Sequence, residues 1–336
     1  MSSIKKIAEI TGLSIATVSH VINGTRKVSK KSTDLVMKAI KDTGYKPNYA
    51  ARMLRTRKSD TIAMLIPEVK KKLSTNIFFM EVLNGAQDYL QSVGLNLIVS
   101  TYSEEAEDDT NDLKKIKILQ NQWIDGFLVV PNKKKAQFIQ NITEGETPFV
   151  LLDRAVSDMK CSCVYNDTIS VSARVVQLLY DNNRRKIGYI GGDINSFTGH
   201  DRMKGYKEGL KVCGLSLAED MVATSGKHTA EAGYEGAERL VAAGVDAIYV
   251  SNDVQAIGVI KYLQDKHIKI PEEVAIVGFE NYQWMEILAR PLTTVCQQPY
   301  EMGQLGAQIL FKKLNDPYYE ETIALEPDII LRNTHA

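Results

Sequence analysis

From Thr61 onward, short apolar runs rich in β-branched residues alternate with helical stretches of 10–16 residues, and they do so in two successive series. The first series is TIAMLIP, a helix from about Phe78 to Val93, LNLIVST, a charged helix over 104–122, GFLVVP, a helix near 134–143, and PFVLLD. The second is CSCVYND, helix 168–182, KIGYIGG, helix 199–212, MVATSG, helix 229–242, DAIYVSND, helix 254–266, and VAIVGFEN. Near-continuous apolar strands must be covered on both faces, so strands alternating with helices predict parallel sheets flanked by helices. Two series predict two doubly wound lobes. A last element, LTTVCQQPYEMGQLGAQILFKKL (292–314), adds a strand and a helix.

The first sixty residues follow a different rule. Ile4, Ile7 and Ala8 fall at i, i+3, i+4 on one helical face, and Gly12 stops that helix. Ser14 can cap a second helix with Val18, Val21 and Ile22 as its apolar side, ended by Asn23-Gly24. Ser29 can cap a third, with Leu35, Val36, Ala39 and Ile40 facing inward and Gly44 closing it. Two helices joined by the short turn TGLS have the make-up of a helix-turn-helix. A three-helix unit this small buries few apolar groups and is expected to serve as a docking head. Pro47 breaks the preceding structure, and Asn48 can cap a short helix over the following residues. So short a helix needs a partner to persist in water.

Charge divides the chain at the same place. Residues 1–60 hold 13 Lys/Arg and 4 Asp/Glu, whereas the remainder holds 28 and 37, although the whole chain is neutral. A basic head on an acidic body fits a nucleic-acid-binding module attached to another function. In such a head the second helix enters the major groove and its first residues meet base edges. Ile15 and Ala16 could touch a thymine methyl, Thr17 and Ser19 a phosphate, and His20 guanine N7 or O6. Arg52, Arg55, Arg57 and Lys58 make the DNA backbone a partner for the short helix.

The order Ala16-Thr17-Val18-Ser19, Val21, Asn23-Gly24, then Tyr45, Pro47-Asn48, Ala51 and Leu54 closely resembles the lactose-repressor (LacI/GalR) family. LTTVCQQPYEMG resembles a later element of that family, so the resemblance covers nearly the whole chain. It implies a small all-α helix-turn-helix head (1–46), a hinge helix and linker (47–60), and an α/β body of two doubly wound parallel-sheet lobes of the type I periplasmic-binding-protein kind (61–336). The N-lobe would hold about 61–162 and 291–317 and the C-lobe about 163–290 and 318–336, with crossings near Ser162, Arg290 and Pro317. It implies a homodimer on a pseudo-palindromic operator in double-stranded DNA. The DNA contacts would come from Ile15, Ala16, Thr17, Ser19, His20 and Asn23 in the head and from Asn48, Tyr49, Ala51, Arg52, Leu54 and Arg55 in the hinge. Leu54 takes the place of a leucine that wedges into the minor groove. His20 stands where many members carry Arg, which implies a different operator.

A ligand of such a body sits between the lobes at the strand ends. The resemblance implies effector contacts from Phe78, Phe79, Asp153, Thr198, Arg202, His228, Asn252 and Glu280. Of Phe78 and Phe79, one is expected in the core and one at the ligand. Asp253 reads better as a helix N-cap, and Asp167 as a cap or a lobe-linking residue, than as ligand contacts. Carboxylates, an amide and a guanidinium suit a polyhydroxylated ligand, because each hydroxyl both donates and accepts. A sugar or sugar phosphate is therefore expected. Purine-binding relatives carry an Arg near Ser196, and Glu280 is one methylene longer than the family's usual Asp. A purine-type effector, or a partner protein that sets DNA affinity, are the alternatives.

Other classes fit less well. A transport-type solute-binding protein would need a signal peptide, and MSSIKKIAEIT lacks an apolar core. No apolar run reaches the ~18 residues of a membrane span, so the chain is expected in the cytoplasm. Asp153 and Glu280 could in principle serve a glycosidase, yet no nucleophile–base motif or metal spacing accompanies them and the head would be left without a role. Cys161, Cys163, Cys213 and Cys296 form no ligand cluster and are expected as free thiols in a reducing compartment. No enzyme activity, metal or cofactor is expected. KIGYIGGD does not match a dinucleotide fingerprint.

Overall fold

A computed structural model describes residues 3–23, 26–45, 58–67, 77–102, 118, 123–131, 147–154 and 161–336. The chain divides into two compact units, 1–59 and 60–336. In the first, α1 (Ile4–Thr11), α2 (Ile15–Asn23) and α3 (Lys30–Thr43) form the expected three-helix head. Its caps include those read from the sequence, with Ser3 as an additional N-cap of α1. The Ser14 hydroxyl accepts from the Thr17 N–H at 3.1 Å and the Ser29 hydroxyl from the Ser32 N–H at 3.2 Å, while Gly12 and Gly44 end α1 and α3 in the left-handed region. Ile7, Ala8, Val18, Val36 and Ala39 are the buried core. Leu35, expected inside, is instead 44% exposed. The buried stripe of α3 runs through 36, 39 and 40, and a residue one step earlier is rotated ~100° away from it.

In the second unit the apolar runs are strands, and with two further strands, Thr322–Leu325 and Asp328–Ile330, which were not read from the sequence, they build two six-stranded sheets; CSCVYND, read as opening the second series, belongs to the first sheet. The N-lobe sheet has the order β11-β5-β4-β3-β1-β2, from β1 (Thr61–Pro67), β2 (Asn96–Tyr102), β3 (Gly126–Val129), β4 (Phe149–Leu152), β5 (Cys163–Asn166) and β11 (Thr322–Leu325), all parallel. The C-lobe sheet has the order β12-β10-β9-β8-β6-β7, from β6 (Ile187–Gly191), β7 (Val222–Thr224), β8 (Ala247–Val250), β9 (Ala275–Phe279), β10 (Thr293–Cys296) and β12 (Asp328–Ile330). Only β12 runs antiparallel among these pairings. The helices are α4 (Ile77–Ser92), α5 (Thr168–Asp181), α6 (Phe197–Val212), α7 (Ala230–Ala242), α8 (Asp253–Asp265) and α9 (Pro299–Asn315). The helices expected over 104–122 and 134–143 fall largely outside the described residues.

All three lobe crossings lie downstream of where the sequence placed them. β5 pairs with β4 through Leu151↔Cys163, so the chain leaves the N-lobe after Asn166, not near Ser162. β10 pairs with β9 through Thr293↔Val277, so the return comes after Cys296, not near Arg290. β11 pairs with β5 and β12 with β10, which puts the third crossing between Leu325 and Asp328, not near Pro317. An apolar strand looks the same in either sheet, and only its partner decides which lobe owns it.

Glycines set the closest helix contacts. A β-carbon on Gly85 of α4 would lie 1.9 Å from the Tyr300 carbonyl oxygen, and one on Gly303 of α9 would lie 2.0 Å from that of Val82. Backbones this close admit no side chain, so α4 and α9 pack face to face on the N-lobe sheet.

Candidate functional site

Three of the candidate ligand residues, Arg202, Asn252 and Glu280, gather near the carboxyl ends of the C-lobe strands. α6 begins at the Ser196 N-cap, whose hydroxyl accepts from the Gly199 N–H at 3.1 Å and donates to the Asp193 carbonyl at 2.7 Å. One turn further on, Arg202 is buried. Its guanidinium donates to the Ser251 carbonyl, stacks 3.8 Å from the Phe279 ring centre and lies 3.8 Å from Glu280 Oε1. Asn252, at the end of β8, is also buried, and its side chain lies beside the Glu280 carboxylate with that of Tyr282. Arg202, Asn252 and Glu280 are thus one cluster drawn from three elements. Burial pushes the Glu280 carboxyl above its usual range, and the Arg202 charge pulls it back. Among the described residues, Arg202 Nε and Glu280 Oε2 make no hydrogen bond.

Asn252 has a second task. It, rather than Asp253, is the N-cap of α8, since its side-chain oxygen accepts from the Val254 N–H at 3.0 Å. Asp253 is instead fully buried. It accepts from the Phe279 N–H at 2.7 Å, the Tyr282 N–H at 3.3 Å and the Thr294 hydroxyl at 3.0 Å. It therefore pins the turn that carries Glu280. Asp167 is a cap, one of the two roles expected of it, accepting from the Ser170 N–H at 3.0 Å.

His228 is exposed overall, but the Nε2 end of its ring lies so close to Gly192 that a β-carbon there would overlap it. Partial burial of the ring and the Arg202 charge push the imidazole down to about 4, against the pull of Asp193. The ring is consequently neutral at physiological pH and can present a face to a ligand. Thr198 is half-buried on the first turn of α6.

From the N-lobe, Asp153 follows β4 in the left-handed region (φ 72°) and pairs with Arg154 at 3.1 Å. Arg154, absent from the residues singled out in the sequence, also donates to the Pro131 carbonyl and stands 5.4 Å from the Phe197 ring centre. It thereby carries Asp153 toward the start of α6 in the other lobe. An arginine directly after a strand-ending Asp in LLDR was the available signal. Phe79 belongs to the buried N-lobe core, whereas Phe78 is half-buried against that core, edge-on to Phe79 at 5.5 Å. The expected division between them is compatible with this, but no contact joins Phe78 to the Arg202 cluster among the described residues. The sequence also missed Ser251, Phe279 and Tyr282, whose roles depend on where a carbonyl and two rings lie in space.

In the head, Ile15 and Ala16 are exposed at the start of α2, and Thr17, Ser19 and His20 are half-buried. The Thr17 hydroxyl lies 2.9 Å from that of Ser14, inside the cap. Asn48, Tyr49, Ala51, Arg52, Leu54 and Arg55 fall outside the described residues, as does the Asn23 side chain. The four cysteines are free, Cys163 buried and the others half-buried. Among the described residues no His, Cys, Asp and Glu cluster could hold a metal, and no helix is long and apolar enough to cross a membrane.

Comparisons with known proteins agree with this division. Residues 3–48 match the family model for bacterial regulatory proteins of the lacI family, and residues 176–335 match that for the periplasmic binding protein-like domain. The HTH-type transcriptional repressor PurR of Vibrio campbellii is 28% identical over 338 residues, covering 99% of this chain and 98% of that protein. The ribose operon repressor of Haemophilus influenzae is 28% identical over 337 residues with the same coverage. Among solved structures, the transcriptional regulator CelR–cellobiose complex matches with a TM-score of 0.73 at 25% identity over 99% of this chain and 100% of that one. The lac repressor dimer bound to operator and an anti-inducer matches in fold, with a TM-score of 0.84 at 18% identity over 99% of each chain. With a helix-turn-helix head in front of a two-lobed body whose strand ends gather a polar cluster, the chain belongs to the lacI family of bacterial regulatory proteins, as a DNA-binding transcription regulator.

Proposed function

We propose that this chain is a homodimeric repressor, acting in the cytoplasm, whose affinity for a pseudo-palindromic operator is set by a neutral or phosphorylated sugar held between the lobes. The observation that carries the effector reading is the Arg202–Asn252–Glu280 cluster. Arg202 Nε offers a donor and Glu280 Oε2 an acceptor, both buried and both without a hydrogen-bond partner among the described residues. A buried polar atom left unpaired costs free energy, so a ligand that supplies both partners is favoured. A sugar hydroxyl donates and accepts through one oxygen, whereas a purine offers its donors and acceptors as separate edge groups. The hydroxyl of Ser196 is spent on its own cap, so this position supplies no charge for a purine. The relatives point both ways, since one is a ribose operon repressor, one structure holds cellobiose, and others are PurR repressors.

Operator recognition would come from Ile15, Ala16, Thr17, Ser19, His20 and Asn23 in the major groove, and from the 47–60 hinge with Leu54 in the minor groove. Phosphate contacts supply affinity and base contacts specificity. Movement of the lobes on binding effector would alter the hinges, coupling the two sites by ~1–3 kcal/mol. A thermal-shift screen of sugars, sugar phosphates and purines tests the effector class. Stabilisation by a sugar that disappears in Arg202→Met supports the proposal, and stabilisation by purines alone refutes it. Incubation of the protein with a glycoside panel, watched for turnover, separates binding from hydrolysis.

A further inference from the structure

Glu280 and Asn281 are consecutive non-glycine residues at φ 119° and 56°. Backbone of this kind persists only where the surroundings over-determine it. Asp253 supplies one restraint, through the Phe279 and Tyr282 N–H groups on either side of the pair. The second comes from the last residues of the chain. Arg332 Nη2 donates to Asn281 Oδ1 at 2.7 Å and to Glu286 Oε1 at 2.8 Å, and Nη1 donates to the Leu292 carbonyl at 2.7 Å.

Arg332 is itself held in place. Its N–H donates to the Thr293 hydroxyl at 2.8 Å. The Asn333 N–H donates to the Pro291 carbonyl at 3.0 Å, and the Ile276 N–H to the Thr334 carbonyl at 2.6 Å. The buried Thr334 hydroxyl donates to the Ile276 carbonyl and accepts from the Thr293 N–H. The C-terminal segment is thus laced between β9 and β10. Beyond Arg332, Asn281 Nδ2 donates to Cys296 Sγ at 3.5 Å, at the end of β10 where the chain returns to the N-lobe.

We propose that Arg332 is a positioning residue for the effector: by fixing Asn281 it fixes the backbone that aims the Glu280 carboxylate. This rests on the reading of Glu280 as an effector contact. The pair with Glu286 does not carry the effect, because Glu286 is 64% exposed and ion pairs in water contribute little. The planar fork of arginine is what allows one side chain to hold Asn281 and the Leu292 carbonyl together, and an ammonium lacks it.

The test uses the full chain and three variants: Arg332→Lys, Asn281→Ala and Glu286→Gln. Hydrogen exchange reads the Glu280 and Tyr282 amides, and calorimetric titration with D-ribose, cellobiose and hypoxanthine reads binding. Arg332→Lys and Asn281→Ala are expected to speed exchange at both amides about 10-fold, leaving the Ile276 amide unchanged. They should also weaken about 10-fold the Kd of whichever probe binds the wild type. Glu286→Gln, which removes only the exposed pair, should leave both readouts at wild-type values. The proposal is overturned if exchange is unchanged in Arg332→Lys and Asn281→Ala, if exchange rises with Kd unaltered, or if Glu286→Gln has the same effect as they do. Should none of the three probes bind the wild type, the effector class falls, and the exchange arm alone supports or overturns the positioning of Glu280.

Discussion

Replacing Arg202 with Met removes the charge from the centre of the candidate site and keeps most of the side-chain volume. Three interactions are lost, and their sizes can be set from the geometry. The Ser251 carbonyl loses its donor, at about 1–3 kcal/mol for a buried acceptor left unpaired. Glu280 is left as a buried carboxylate without a countercharge, and breaking a buried pair costs about 3–5 kcal/mol. The separation of 3.8 Å argues for the low end. Stacking on Phe279 is lost as well, but a thioether against the ring recovers part of it, about 0.5–1 kcal/mol. One guanidinium makes all three contacts, so the terms overlap, and about 3–4 kcal/mol is expected at pH 7.5. The loss also depends on pH in a definite direction. Glu280 is raised above 4.5 by burial, and Arg202 is the largest influence lowering it, so the variant raises it further. A carboxyl whose folded pKa lies above its unfolded value contributes stability that is present below the unfolded pKa and lost as pH rises through the folded one. The deficit of Arg202→Met relative to wild type should therefore shrink between pH 7.5 and pH 5. Calorimetric unfolding at the two pH values reads this, and Arg202→Met/Glu280→Gln completes a double-mutant cycle. The double variant should be more stable than Arg202→Met alone by at least about 1 kcal/mol at pH 7.5. A deficit independent of pH, or single losses that add within about 0.5 kcal/mol, refutes the electrostatic reasoning.

Gly85→Ala places a methyl carbon on the Tyr300 carbonyl, and because backbone cannot yield, overpacking of about 3 kcal/mol should outweigh the ~1 kcal/mol gained in helix propensity, lowering the stability of the body in urea titration. His228 titrates at about 4 when folded against 6.5 when unfolded, so its contribution is present above pH 6.5 and lost as pH falls toward 4. Thermal melts of His228→Gln should accordingly run parallel to wild type between pH 7 and 8 and fall less steeply below pH 6.5. In gel-shift titrations on a duplex selected from a random library, Leu54→Ala should weaken specific binding about 10-fold or more while sparing non-specific binding, and an unchanged ratio ends the wedge assignment. Repeating the selection with His20→Arg should return a different half-site, since the side chain would read a different base edge.

The sequence made local features legible and left pairings hidden. Ser14, Ser29, Gly12 and Gly44 act within one or two turns of themselves, so their capping roles follow from order alone. Most strand positions, though not those of the short and partly exposed β11 and β12, were equally plain, because a buried parallel strand is an apolar run. Lobe ownership was not, since Cys163 and Thr293 sit on sheets chosen by partners far away in the chain. The same distinction runs through the site. Arg202, Asn252 and Glu280 could be named from the resemblance, but their convergence depends on three elements meeting. Asp253 was read as a cap because Asp before a helix commonly is one, whereas its neighbour Asn252 caps and Asp253 turns inward to Phe279 and Thr294. Leu35 was misplaced by a single step of ~100° on its helix. Arg154 and Arg332 went unseen because their partners, Phe197 and Asn281, are distant in sequence.

Occupancy of the Arg202–Asn252–Glu280 cluster is proposed to change operator affinity. Fluorescence anisotropy of the full-length protein on its selected duplex, with and without a saturating sugar identified by thermal shift, tests it directly. The Kd for operator should change by about 5–150-fold on adding the sugar, and the operator should change the sugar's affinity by the same factor. In Arg202→Met that change should vanish while binding to the duplex remains. A sugar that binds the wild-type body and leaves the operator Kd unmoved would contradict the account.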